Sequence, residues 1–192
     1  MPYNRFVRED ISALRSEVKH LQLLVKEDQL LKQAGEQFYD DPVAAELLFT
    51  FSERIDEQTE RIEAVLEDIT FHSDPENRAF YEAEDMALYL GSTTQVLAAE
   101  IENVEAVLMT KQQMSSSQSS AGAGTQAGQS GVIQKAISWI KQRVVPILKS
   151  IMAKAWKLLS GLLTPKEWKV KGGTGISFLG LLNAELEITF GP

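Results

Sequence analysis

The sequence of 192 residues contains no cysteine and only two histidines. Without cysteine there is no disulfide framework, thiolate metal site or cysteine nucleophile, and the composition fits a reducing compartment. His20 and His72 are isolated from each other, and the sequence has no nucleophile elbow, dinucleotide fingerprint or P-loop lysine. We therefore predict that the protein is not an enzyme and uses no cofactor, metal or small-molecule substrate.

Long apolar runs are also missing. One uncharged run outside a Ser/Gly-rich segment covers residues 172–184. It is rich in glycine and shorter than the roughly 20 apolar residues of a membrane-spanning helix. The first ten residues lack the apolar run of a signal peptide and carry acids, which transit peptides avoid. Cytoplasmic residence is expected, with peripheral attachment to a membrane as a further option.

Charge is divided unequally along the chain. Residues 1–130 contain 24 Asp/Glu and 10 Lys/Arg, whereas the residues that follow contain 9 Lys/Arg and 3 Asp/Glu. Between the two parts, residues 115–131 are Ser, Gly, Ala, Gln and Thr only. This pattern predicts an acidic domain over 1–114, a flexible linker over 115–131 and a basic module over 132–192.

Heptad spacing predicts three long helices in the acidic part, joined by short turns into an antiparallel, coiled-coil-like bundle. The first should run from about Arg5 to Phe38. The second should begin at Asp41-Pro42 and reach Phe71, and the third should follow Asp74-Pro75, since an Asp cap before proline favours a helix start. The residues predicted to form the bundle seam are Ile11, Leu14, Val18, Leu21, Phe51, Ile55, Ile62, Leu90, Leu97 and Ile101.

Residues 132–163 contain six Lys/Arg and no Asp or Glu. Their apolar residues recur at helical spacing within an arc of roughly 80 degrees, which predicts a basic amphipathic helix. Pro146 should kink or split this helix, because proline removes one hydrogen bond of the ladder. The residues predicted to contact a membrane or a partner are Lys135, Trp139, Ile140, Lys141, Arg143, Ile147, Lys149, Ile151, Lys154, Trp156, Lys157 and Trp168.

Two interpretations of Trp139 and Trp156 stay open at this point. Both project to the flanks of the apolar stripe beside lysines, a position typical of interfacial anchors on a membrane. Alternatively, Pro146 shifts the helical phase and both rings pack against the following segment. That segment, residues 167–190, alternates apolar and polar residues around Gly-rich turns, which predicts a β-hairpin or three-strand meander. The overall expectation is a mainly α protein with a small C-terminal α+β module.

Three functions are compatible with this organisation. In the first, the acidic bundle binds a protein partner or itself, and the basic module binds or perturbs anionic membrane, masked by the bundle until it is released. In the second, the chain is a structural adaptor whose C-terminal module is an ordinary protein-binding domain. Nucleic-acid binding is the least favoured, because the helix lacks a cluster of side chains suited to base edges and the linked bundle repels phosphate.

Overall fold

The computed structural model describes residues 3–72, 82–118 and 127–162, and over these residues the protein is mainly helical. The α-helices are α1 (Tyr3–Glu27), α2 (Leu30–Gly35), α3 (Pro42–Phe49), α4 (Phe51–His72), α5 (Glu82–Gln118), α6 (Ala127–Trp139) and α7 (Val145–Leu162). A π-helical turn, Ile140–Val144, joins α6 to α7 without a break. We call this continuous element, residues 127–162, the basic helix. The strands predicted within 167–190 lie outside the described residues.

Two helices predicted as continuous are each divided in the structure. The Asp28 carboxylate accepts a hydrogen bond from the Leu30 amide at 2.6 Å, which ends α1 and starts α2. Asp41 accepts from the Ala44 amide at 3.0 Å, and Pro42 occupies the first turn of α3. The start signal read at Asp41-Pro42 is therefore present. The second predicted helix is interrupted once, at Thr50, and continues as α4.

Four long helical elements alternate in direction around one core. Helix α1 packs on α4, α4 on α5, α5 on the basic helix, and α7 on α1. The antiparallel sense of α1 and α7 follows from their ion pairs, since Glu17 contacts Lys154 and Asp10 contacts Lys157. The short helices α2 and α3 pack on each other, α2 also on α6 and α3 on α4 and α5. The basic helix is thus the fourth long helix of the bundle.

The seam residues named above are all buried, and they share one continuous core with the apolar side chains of the basic helix. The core also contains polar side chains in its interior. Thr59 is fully buried, and its hydroxyl oxygen accepts a hydrogen bond from the side-chain Nε2 of Gln22 at 2.7 Å. Thr94 is buried and donates to the Leu90 carbonyl at 2.9 Å. Such internal partners let a bundle hold hydroxyl groups without a large desolvation cost.

Part of the predicted linker is helical. Helix α5 continues to Gln118 and α6 begins at Ala127, so only residues 119–126 of this segment lie outside the described residues. The helical ladder extends through Ser- and Gly-rich sequence in spite of its low intrinsic helix propensity. The division into 1–114, 115–131 and 132–192 as separate domains stays a prediction.

The backbone around Pro146 shows how proline is accommodated. In the π turn the Val145 amide donates to the carbonyl of Ile140, five residues earlier. Pro146 then occupies the first turn of α7, where a missing amide hydrogen has least effect. The irregularity predicted at Pro146 therefore takes the form of a π turn one turn upstream, and the helix continues through it.

Gly91→Ala is expected to stabilise the bundle by about 1 kcal/mol, because alanine is more favourable than glycine in the interior of a helix. A Cβ atom at Gly91 meets only Leu159 Cδ1, at 3.9 Å, an ordinary contact distance. Thermal unfolding followed by circular dichroism should show a midpoint about 2 to 4 °C higher. Gly35→Ala is the control: its Cβ would lie 3.2 Å from the Phe49 ring. An equal gain from both substitutions would contradict this packing.

Candidate functional site: the basic helix and its acidic cover

The apolar stripe of the basic helix is buried in the bundle. Ile140 and Ile151 are fully buried, and Ile147 is 8% exposed. The other buried residues of this stripe are Ile133, Ala136, Ile137, Val144, Val145, Leu148, Ala155, Leu158 and Leu159. Each large side chain of this kind contributes about 1.5 to 3 kcal/mol when it is removed from water. Hydrophobic burial is therefore the main force that holds this helix in place.

Glu17 on α1 is the centre of a polar cluster at this interface. Its Oε1 atom accepts hydrogen bonds from Lys154 Nζ at 2.8 Å and Ser150 Oγ at 2.9 Å. Lys154 also donates to Ser150 Oγ at 2.6 Å. Hydrogen bonding to Lys154 lowers the pKa of the Glu17 carboxyl below its ordinary 4.5, with further lowering by Ser150 and by the charges of Lys154 and His20, while partial burial opposes the change. The carboxylate is thus held in its charged form.

Two more lysines of the basic helix pair with carboxylates of the acidic helices. Lys157 Nζ lies 2.7 Å from Asp10 Oδ1 on α1. Lys141, in the π turn, lies 3.2 Å from Glu105 Oε1 on α5, and Glu105 is only 7% exposed. Together with Lys154, these lysines join the basic helix to both of its long neighbours. The pairs add directional contacts to the hydrophobic burial, each worth about 0.2 to 1 kcal/mol.

Glu102 lies one turn before Glu105 and has a less favourable environment. Burial, and then the charge of Glu105, raise the pKa of the Glu102 carboxyl above its ordinary 4.5. Its Oε1 atom is buried and has no hydrogen-bond partner among the described residues. Protonation at low pH therefore removes a stabilising charge at Glu17 and an unfavourable charge at Glu102.

The remaining predicted contact residues are distributed over the outer side of the basic helix. Lys135 and Arg143 are exposed, and Lys149 is half-buried. Trp139 is half-buried and packs against the core, whereas Trp156 is 37% exposed. The two rings therefore differ: Trp139 packs inward against the core, and Trp156 stays at the surface. The segment against which the second interpretation placed both rings lies outside the described residues. Trp168 lies outside the described residues.

The sequence analysis missed the carboxylates that receive the lysines. Asp10 and Glu17 each precede a seam residue, Ile11 and Val18, and Glu105 follows the buried Val104. Residues next to a heptad seam are the ones that form ion pairs with a neighbouring helix. That position was the available signal, although it does not specify which helix supplies the cation.

Comparisons with protein-family models, with curated proteins and with solved structures give no match to this chain. In the part of the chain that the structure describes, no helix is both long enough and apolar enough to cross a bilayer. The same residues contain no group of three His, Asp or Glu side chains placed to hold a metal ion.

Glu17→Gln is expected to lower the free energy of unfolding near neutral pH by about 1 kcal/mol, because a charge-assisted hydrogen bond that solvent partly screens is lost. A carboxyl whose pKa is lowered by folding stabilises the protein above its unfolded-state pKa, and this contribution is lost as pH falls through the folded-state pKa. Urea unfolding of the two proteins should differ most at about pH 7 and converge below about pH 4. A difference that does not depend on pH would contradict the role given to the Glu17 charge.

Glu102→Gln should have the opposite effect. The raised pKa of Glu102 means that its charged form opposes folding at neutral pH, and this penalty disappears as pH falls through the raised folded-state pKa toward the ordinary 4.5. We expect a gain of about 0.5 kcal/mol near pH 7, kept small because solvent screens a half-buried carboxylate. Urea unfolding near pH 7 and pH 4 measures it, with the exposed Glu67→Gln as the control. A loss of stability at neutral pH would show that the Glu102 charge is favourable.

Proposed function

We propose that this chain is a non-enzymatic protein in which acidic helices make protein contacts and a basic amphipathic helix binds anionic membrane after release from those helices. The bundle conformation is then the masked form. Cytoplasmic residence with peripheral attachment to a membrane belongs to the same proposal. The predicted strands of residues 167–190, including Trp168, would follow the basic helix onto the lipid surface.

One observation carries the proposal: the basic helix buries its apolar stripe from Ile133 to Leu159, while lysines on both sides of it meet carboxylates of the acidic helices. Lys154 and Lys157 contact α1, and Lys141 contacts α5. A membrane surface offers the same two features, an apolar interior and fixed negative charge. In the bundle, the acidic helices therefore supply the apolar surface and the negative charge that anionic lipid would supply.

The apolar stripe cannot lie in the bundle core and in a bilayer at the same time, so membrane insertion needs a second state of the protein. Once released, six Lys/Arg contribute about 1 kcal/mol each near an anionic surface. Apolar insertion then replaces the burial that the bundle supplied. The two states compete for the same side chains, and their balance determines the fraction bound to membrane.

A structural adaptor is the second candidate, and the depth of burial favours it. Because about a dozen apolar side chains hold the basic helix, loss of ion pairs alone leaves most of the interface intact. In that case the helix is a permanent part of the bundle and the outer surfaces bind other proteins. Nucleic-acid binding has no such support.

The double variant Asp10→Asn/Glu17→Gln tests the mask without changing the basic helix. The two partly exposed ion pairs are together worth about 0.4 to 2 kcal/mol, which corresponds to roughly a 2- to 30-fold increase in the released population. Binding of the full-length variant to vesicles containing phosphatidylserine should increase accordingly, as measured by co-sedimentation and by a blue shift of tryptophan fluorescence. Vesicles of phosphatidylcholine alone should not bind.

The control is Glu53→Gln/Glu67→Gln, which removes the same charge from exposed positions of α4. Equal vesicle binding by the two double variants would mean that net charge, and not release of the basic helix, controls binding. If neither variant binds anionic vesicles at low salt, the membrane function is wrong and the adaptor function stands.

A further inference from the structure

From residue 88 to residue 114, the fully exposed side chains on the outward side of α5 are all uncharged, and the half-buried Glu102 lies at the margin of this side toward the basic helix. Between residues 88 and 114, the exposed positions of α5 are Leu88, Tyr89, Ser92, Gln95, Val96, Ala99, Asn103, Ala106, Met109, Thr110, Gln113 and Met114. Several are large and apolar: Leu88 is 56% exposed, Val96 43% and Met114 61%. We call these positions the α5 outer face. On an acidic protein, an uncharged face of this length with exposed large apolar side chains is typical of a contact surface.

The neighbouring helices carry ordinary charged surfaces. The exposed charged residues of α4 are Glu53, Glu57, Glu60, Arg61, Glu67 and Asp68, five acids and one base. The basic helix has lysine and arginine on its outer side and contains no acid between residues 132 and 162. The α5 outer face therefore lies between an acidic helix and a basic one.

Two ion pairs establish that these helices lie on opposite sides of α5. Glu100 pairs with Arg54 of α4, and Glu105 pairs with Lys141 of the basic helix. Five residues correspond to about 140 degrees around a helix. Glu100 and Glu105 thus mark the two flanks of α5, with the core between them on one side and the outer face on the other.

With an acidic helix on one side of the α5 outer face and a basic helix on the other, two copies of the chain can present complementary charges to each other. A two-fold axis parallel to α5 places the outer faces of two copies against each other with their α5 helices parallel. The same operation exchanges left and right, so the acidic α4 of each copy lies beside the basic helix of the other. An antiparallel pairing would instead place α4 against α4, where like charges repel. A foreign partner of uniform charge would match only one flank.

We infer that the α5 outer face binds a second copy of this chain in a parallel, two-fold symmetric dimer. The inference rests on the part of the proposed function that assigns protein contacts to the acidic helices, and it names the partner as the protein itself. Residues close to the two-fold axis then meet their own counterparts, and the other outer-face residues meet a different residue of the partner copy, as in any isologous interface. Asn103 meets Asn103 near the middle, an arrangement that favours two parallel helices in one register.

The size of the face predicts a weak and reversible dimer. Residues 88–114 form a strip about 40 Å long and roughly 10 Å wide. The projected area of two such strips is roughly 800 Å², below the 1,200 to 2,000 Å² of stable interfaces. Association should therefore be visible at protein concentrations on the order of 100 μM and largely lost near 1 μM.

Sedimentation equilibrium of the full chain over this concentration range tests the inference. The mean mass should rise toward twice the monomer mass for the parent protein. In Ala99→Glu/Ala106→Glu, which places two carboxylates on the outer face, the dissociation constant should increase at least tenfold. The matched control is Ala64→Glu/Ala153→Glu, which adds the same charge at exposed positions of α4 and α7. Circular dichroism verifies that the variants remain folded.

A monomeric parent protein at the highest concentration, or equal weakening by both double variants, would overturn the inference. Vesicle binding is measured separately, so failure of self-association and failure of membrane binding are distinguishable. A dimer that persists in variants unable to bind vesicles supports the inference and removes only the membrane function.

Cysteine cross-linking tests the parallel orientation, since the chain has no native cysteine. Ser92→Cys and Thr110→Cys each place one thiol on the middle of the outer face. In a parallel dimer each variant should form a disulfide with its own copy under mild oxidation by oxidised glutathione. An antiparallel pairing would link the two variants only when they are mixed, and this result would overturn the proposed symmetry. Ala64→Cys, on α4, is the control and should not cross-link above background.

Discussion

The burial of one apolar stripe, that of the basic helix, between α1 and α5 is the contact on which the rest of the structure depends. Without it, the seams of α1, α4 and α5 would form a three-sided core with one open side. With it, the four long elements close around a single core, and the lysines at the margin come within hydrogen-bond distance of Asp10, Glu17 and Glu105. The ion pairs are consequences of this packing, because they are too weak to direct it alone.

The bundle also changes the meaning of the charge division along the chain. Acidic and basic parts that are separated in sequence are neighbours in space, and part of their charge is neutralised locally. What remains outside is asymmetric, with acids on α4, bases on the outer side of the basic helix, and an uncharged α5 face between them. Net charge affects the solubility of the protein and its rate of encounter with a partner, whereas this arrangement determines which surfaces can approach each other.

Some of this could be read from the sequence because it depends on near neighbours. Heptad spacing identifies the residues that lie along one side of a helix, and Asp41-Pro42 marks the start of α3 through contacts within a single turn. The amphipathic stripe of residues 132–163 indicates that one side of this helix must be covered. The covering surface could not be predicted, because an apolar stripe has the same pattern against lipid as against protein. For the same reason Glu17 was indistinguishable from a solvated acid until Lys154 and Ser150 were placed beside it.

The contact between α1 and α7 has a consequence for the way the chain is made. Glu17 contacts a lysine that follows it by 137 residues, so the last wall of the bundle is synthesised long after the first. Until then α1, α4 and α5 emerge from the ribosome with one side of their seam uncovered, and closing so long a loop is slow compared with forming the helices themselves. A newly made chain therefore offers an apolar groove lined by acids before its own basic helix arrives. The first segment able to fill that groove is the basic helix of the same molecule.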